Sequence, residues 1–297
     1  MSKNHHGYIY AILAFLFWGG VSPVYFIEVG SVDSFEVLLY RVLFSVITLL
    51  PFFLIKKEYQ NLIYTITDLK KVKYLFISTL LVSTNWLIFI WTVTNEKILE
   101  ASLGYYINPL VNVFLGFLIF KEKMSKNQYI AIALAIFAVV YQFISLGYIP
   151  IVSLSLAISF GLYGMIRKKI EVSSLAGLFI EVLLLLPIAV FYLGYLYFDG
   201  SISFILNSDF YTSFILTLAG LVTIIPLLLF NSAAIRMKLS TLGFFQYIGP
   251  SVAFILAIFI YGEEFNTDKL ITFVFIWIAL GFFSIDNIKK YRDKKKG

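Results

Sequence analysis

Residues 100–123 read EASLGYYINPLVNVFLGFLIFKEK, an apolar run with Asn108 and Pro109 in its interior and a charged stop. Residues 240–264 read STLGFFQYIGPSVAFILAIFIYGEE and repeat the plan. Thirteen positions separate Pro109 from Glu122, and thirteen separate Pro250 from Glu263. Between those marks five of fourteen aligned positions are identical, including Val111 with Val252, Leu115 with Leu256 and Ile119 with Ile260. Chance identity is high in so apolar a chain, so the matched proline and glutamate carry the inference. The chain reads as internally duplicated.

The composition says in what solvent that duplication folds. Over 297 residues, 60% are hydrophobic and only 13% charged, which leaves the range of soluble domains. The mean hydropathy of +0.90 agrees. Apolar runs long enough to cross a hydrocarbon core of about 30 Å as helices recur along the whole length. Ten such spans are expected, at about 7–27, 35–55, 74–94, 101–120, 127–145, 149–166, 174–197, 211–235, 240–261 and 269–288. The first is read as a retained helix, since no defensible cleavage site follows it. The fold class is an all-α membrane protein.

Loop charge sets the expected orientation. With the N-terminus in the cytoplasm, 20 of the 23 Lys and Arg residues fall in cytoplasmic segments, while Lys97 and Lys269 lie outside and Arg41 lies within a span. Both termini are then cytoplasmic. Ten spans divide into five and five, residues 1–147 and 148–297, and the odd number inverts the second half. The inward KEK stop thereby becomes an outward GEE stop. A weaker echo pairs Phe17, Trp18 and Gly19 with Leu162, Tyr163 and Gly164. Inverted-topology repeats are a transporter architecture, with substrate held near the midplane between the repeats.

Several chemistries are excluded. There is no cysteine, and both histidines, His5 and His6, belong to the N-terminal tail. Thiol chemistry, disulfides and an intramembrane histidine site are ruled out, and no cofactor is expected. The net charge of +6 follows membrane orientation and does not call for a nucleic-acid partner. No phosphate-binding glycine loop, nucleophile elbow or paired-carboxylate motif occurs. An integral-membrane lipid enzyme would need clustered His, Asp or Cys near an interface, and the chain is read as a non-enzyme.

Two ionisable residues stand within spans, Arg41 and Glu181, where a charge costs at least about 2.5–3.5 kcal/mol. Aligning Ser34 with Ser174 sets them opposite one another in the repeat. They either bind a substrate charge, with Glu181 also able to carry a coupling proton, or form an ion pair that locks two helices. Arg41 alternatively snorkels outward to Glu36 or to headgroups. Tyr105, Asn108, Asn112 and Gly116 share one helical face, and Asn85, Thr92 and Asn95 share another, flanked by Trp86 and Trp91. Gln246 stands above a stripe of Gly249, Ala253 and Ala257. Such groups line a water-filled cavity or bond between packed helices. Asn85, Asn108 and Gln246 are assigned to the cavity, with Trp18, Trp86 and Tyr163 as its aromatic candidates, and the small stripe to packing. Other aromatic residues, such as Tyr192, Tyr195, Tyr197 and Phe198, are assigned to an interfacial belt.

The stretches 85–116 (NWLIFIWTVTNEKILEASLGYYINPLVNVFLG), 181–187 (EVLLLLP) and 239–265 (LSTLGFFQYIGPSVAFILAIFIYGEEF) resemble the RarD family of EamA-type transporters, in the drug/metabolite transporter superfamily. WGGVSPVY near the start and LLYRV around Arg41 extend the likeness over nearly the whole chain. The resemblance implies ten helices in two inverted repeats, a bacterial inner-membrane location and export of small metabolites or drugs. Its recurring positions correspond to Asn85, Trp86, Glu100, Asn108, Pro109, Glu181, Gln246 and Pro250. The expected function is secondary transport by alternating access, with a passive channel or facilitator as the competing reading. The expected partners are a small-molecule substrate, the lipid bilayer and a coupling proton.

Overall fold

A computed structural model describes residues 3–55, 58–94, 98–204, 208–259 and 267–296, and within them the regular elements are all helical. In chain order they are α1 (Lys3–Glu28), α2 (Ser34–Ile55), α3 (Tyr59–Ile66), α4 (Leu69–Thr94), α5 (Ile98–Phe120), α6 (Lys126–Leu146) and α7 (Ile151–Ile170). There follow α8 (Ser174–Asp199), α9 (Phe210–Thr217), α10 (Ala219–Ala234), α11 (Leu239–Gln246), α12 (Ile248–Phe259) and α13 (Thr267–Lys296). Among the described residues nine stretches are long and apolar enough to cross a membrane, one of them running from α9 through α10 and another from α11 into α12. The tenth expected span falls in α13, whose apolar run Leu270–Ile285 is shorter.

Two expected spans are broken, for local reasons. Pro250 has no N–H to bond the carbonyl of Gln246, and α11 ends at Gln246. The chain turns at Tyr247, whose N–H bonds the Phe244 carbonyl. Pro109, the matching proline, sits inside an unbroken α5. At the other break Leu218 N bonds Ile215 O, a three-residue step that tightens the end of α9. Next to it Gly220 lies so close to α2 that a Cβ there would fall 2.2 Å from the Phe44 carbonyl oxygen.

The turn after α5 is built by the charged stop. Lys121 adopts a left-handed φ of 51°, and Glu122 N bonds back to the Gly116 carbonyl at 3.1 Å. This reversal points the Glu122 carboxylate into the bundle. Ser125 and Gln128 then cap α6 reciprocally.

Packing joins the early helices to the late ones. The most extensive contacts pair α5 with α7 and α11, α6 with α13, α4 with α7, α1 with α10 and α12, and α2 with α8 and α10. On α5, Asn108, Asn112 and Gly116 face the interior, while Phe114, Phe117 and Leu118 are exposed as a lipid-facing surface would be. The interior stripe expected there is present, although Tyr105 is half exposed.

A second close helix crossing lies between α1 and α12. A Cβ at Gly19 would sit 2.3 Å from the Gly249 carbonyl oxygen, a backbone atom with no flexible end to yield. Gly19→Ala is expected to lower stability by about 1–3 kcal/mol through overpacking, read as an earlier thermal unfolding transition in detergent. Gly194→Ala, with nothing within 4 Å, is expected to leave it unchanged.

Candidate functional site

A cavity of about 260 Å³ opens between α1, α2, α4, α5, α7, α10, α11 and α12. It lies in the half of the bundle that holds the C-terminal part of α1 and the N-terminal parts of α2 and α5. Trp18, Arg41, Asn85, Trp86, Asn108 and Gln246 line it, six of the eight residues singled out from the sequence. Tyr163 and Glu181 do not, and belong to a second polar cluster nearer the opposite end.

Arg41 reaches the cavity from the first turns of α2. Its Nε donates to Thr223 Oγ1 at 2.9 Å, and its guanidinium lies over Trp86 at 4.6 Å and Phe26 at 5.5 Å from the ring centroids. Neither expected carboxylate meets it. Glu36 accepts from Ser203 N (2.7 Å), Ser203 Oγ (2.6 Å) and the Tyr40 hydroxyl (3.0 Å). Glu181 is committed elsewhere, so no Arg41–Glu181 pair locks the helices.

The amides do both things that the sequence left open. Asn85 Nδ2 donates to the Leu156 carbonyl (2.9 Å) and to Ser159 Oγ (3.0 Å), and Asn108 Nδ2 donates to the Ala157 carbonyl (2.6 Å). Both residues thereby tie α4 and α5 to α7 while lining the cavity. Gln246 donates to Asn108 Oδ1 and accepts from Asn112 Nδ2, joining α11 to α5. The two copies of the opening stretch therefore meet through Asn108 and Gln246. Trp18 packs among Phe15, Phe160 and Phe230, with centroids 5.7, 5.7 and 5.8 Å away. Gly249 and Ala253, assigned to packing, also border the cavity. Asn95 and the GEE stop at 262–264 lie outside the described residues.

Three prolines act on this region together. Pro23, Pro109 and Pro250 remove the helical N–H partners of the Gly19, Tyr105 and Gln246 carbonyls, and all three of those residues line the cavity. Backbone released from helical bonding at membrane depth is tolerated where it borders a cavity.

The opposite half of the bundle holds buried charge. Glu181, 2% exposed, accepts from the Ser78 and Tyr163 hydroxyls and lies 3.6 Å from Arg167 Nη1, which is 1% exposed. Asn231 Nδ2 donates to the Tyr163 hydroxyl at 2.8 Å. Nearby, the buried Glu122 carboxylate accepts from Leu239 N (2.7 Å), Ser240 N (2.9 Å) and Ser240 Oγ (2.6 Å), an anionic cap on the N-terminus of α11. Lys168 Nζ donates to the Ala234 and Met237 carbonyls.

Sequence reasoning missed Arg167 and Glu122. Arg167 opens the Arg167-Lys168-Lys169 run that loop charge assigns to the cytoplasm, and Glu122 belongs to the charged stop. The available signal was helical spacing. Tyr163 and Arg167 stand four apart on α7, as Gly177 and Glu181 do on α8, and Gly177 has no side chain where the guanidinium lies.

Among the described residues, an all-helical bundle of membrane-spanning length around an aromatic and amide-lined cavity defines a multi-pass membrane protein. The EamA-like transporter family matches residues 5–144. An uncharacterized transporter of Vibrio cholerae is 46% identical over 283 residues, covering 95% of this chain and 93% of that one. The protein RarD of Escherichia coli K12 is 42% identical over 294 residues, 99% of each chain. A solved crystal structure superposes with a TM-score of 0.72 over 95% of this chain and 98% of the other, and at 14% identity it shares the fold alone. The chain belongs to the RarD family of EamA-type transporters in the drug/metabolite transporter superfamily, and it is a membrane transporter.

The buried pair gives a direct expectation. Glu181→Ala leaves Arg167 buried without its counter-ion and is expected to destabilise the fold by about 3–5 kcal/mol. Arg167→Met combined with Glu181→Leu is expected to recover much of that loss in the same thermal unfolding measurement, because it removes both charges together.

Proposed function

We propose that this protein is a secondary transporter of the bacterial inner membrane that exports small metabolites or drugs by alternating access around the cavity. Ten spans form two inverted five-helix repeats, residues 1–147 and 148–297, with both termini cytoplasmic. The observation that carries the reading is the asymmetry of the bundle. One half holds the cavity, while the other buries Glu122 on α11 and the Glu181–Arg167 cluster, which we read as its seal. With basic loops inside, the sealed end is cytoplasmic and the cavity faces outward.

The helix pairings support the repeats. α1 packs on α10 and α12 as α7 packs on α4 and α5, and α2 packs on α10 as α8 packs on α4. Three further pairs, α2 with α8, α5 with α11 and α6 with α13, each join a helix to its own counterpart. Rocking one half against the other preserves such pairings while moving the opening from one side to the other.

A proton at Glu181 is assigned the coupling role. Protonation removes the counter-ion of Arg167 at the sealed end, so proton binding and opening of that end act on the same contact.

Cells expressing the wild type are expected to release at least one small molecule several-fold above cells expressing Asn108→Leu, read by mass spectrometry of the medium. Identical profiles from equally expressed proteins would contradict export through this cavity. For that compound, counterflow in proteoliposomes is expected, whereas flux without counterflow would identify a channel. Glu181→Gln is expected to flatten the pH dependence of transport, and an unchanged profile at normal expression would remove the proton from Glu181.

A further inference from the structure

We infer that the cavity recognises a singly charged organic acid, with Arg41 taking the carboxylate and the surrounding rings taking a flat apolar body. This rests on the reading of the cavity as the transport site. Three observations carry it.

The first is a charge without a counter-charge. Arg41 is always cationic, 92% shielded from solvent and in the cavity wall, yet among the described residues no carboxylate lines that cavity or pairs with Arg41. Arg167 solves the same problem with Glu181. Arg41 has a neutral hydroxyl at Nε and two aromatic faces, an arrangement that orients the guanidinium without neutralising it. A guanidinium whose fork is held in place suits two parallel bonds to one carboxylate. One cation balances one negative charge, and a dianion would leave a charge uncompensated in a low-dielectric site.

The second is the direction of the amides. Both hydrogens of Asn85 Nδ2 are engaged by Leu156 and Ser159, and the Gln246 amide group donates to Asn108. The amide donors of Asn85, Asn108 and Gln246 are thus engaged in holding helices together. Asn85 is left with its carbonyl oxygen, which accepts from a substrate hydroxyl or N–H but repels a second anion.

The third is shape. Trp18, Phe26, Trp86, Phe89 and Phe160 supply ring faces around a cavity just below the range for drug-sized small-molecule sites, roughly 300–1,000 Å³. A planar body stacks there, whereas a bulky polar one would leave its own groups unpaired.

The test uses probes alike in shape and different in charge: phenylacetate, phenylacetamide and phenethylamine, and likewise indole-3-acetate, indole-3-acetamide and tryptamine. Binding to the full-length protein in nanodiscs is read by thermal shift and by tryptophan fluorescence, since Trp18 and Trp86 line the cavity. The carboxylates are expected to bind about ten- to a hundred-fold more tightly than their amides, the scale of a charge-assisted hydrogen-bonded pair. The amines are expected to bind weakest. Arg41→Gln is expected to abolish the preference for carboxylates and Arg41→Lys to retain part of it. The wild-type charge series decides the matter even where a variant fails to fold. Equal binding of acid and amide, a preference for the amine, or no binding by any carboxylate would overturn the inference, as would a preference for carboxylates that survives in folded Arg41→Gln. Carboxylate binding without counterflow of labelled phenylacetate would contradict the transport reading and leave the anion site standing. Counterflow of a neutral or cationic compound that carboxylates do not compete for would do the reverse.

Discussion

Hydrocarbon offers no hydrogen bonds, so a polar side chain buried in a bundle that spans a bilayer finds its partner within the protein or at a water-filled cavity. Here those partners lie mostly across the chain, between helices α1–α6 and helices α7–α13. Glu122 bonds α11, Asn85 and Asn108 bond α7, Asn108 and Asn112 bond Gln246, Arg41 bonds Thr223, and Tyr141 and Ser145 bond Asp268. Apolar contact alone would not fix one arrangement of the halves, because lipid tails are as apolar as the side chains they would replace. The directional bonds fix it.

Those bonds differ around the cavity and beyond it, although Glu36 is a buried carboxylate in the cavity half as well. Around the cavity they are neutral amides and hydroxyls, together with one cation lacking an acid. At the other end they involve two buried carboxylates, and Arg167 keeps Nε and Nη1 buried without hydrogen-bond partners. An incompletely satisfied ion pair in a low-dielectric interior is costly, and it gives the closed end less margin than its charges suggest.

The architecture was largely legible, since hydropathy alone placed each span near a helix. The assignment of Asn108 and Gln246 to the interior was legible, because a polar residue on an interior stripe has few places to go; that they bond each other comes from the structure. The break at Tyr247 was not legible from Pro250, because the matching Pro109 leaves α5 continuous. Composition also misled at helix ends. Arg167 begins a basic run that hydropathy assigns to solvent, and only the absence of a side chain at Gly177 makes its burial feasible. Glu122 looks solvated until the reversal at Lys121 turns it inward. Arg41 was conspicuous from the start, yet its freedom from Glu36 and Glu181 depends on where Ser203 and Arg167 sit, far away in sequence.

Access to the cavity must alternate if the halves rock, and the contact between the α5–α6 turn and the start of α11 must then open. The chain has no cysteine, so paired labels can be introduced without background. Lys123 and Lys238 are exposed, and Lys238 Nζ donates to the Lys123 carbonyl at 3.0 Å across this contact. Spin labels at these two positions, measured by pulsed electron resonance in nanodiscs, should give two distance populations whose ratio shifts with substrate or pH. A single short distance under every condition, from a protein that still transports, would contradict the account.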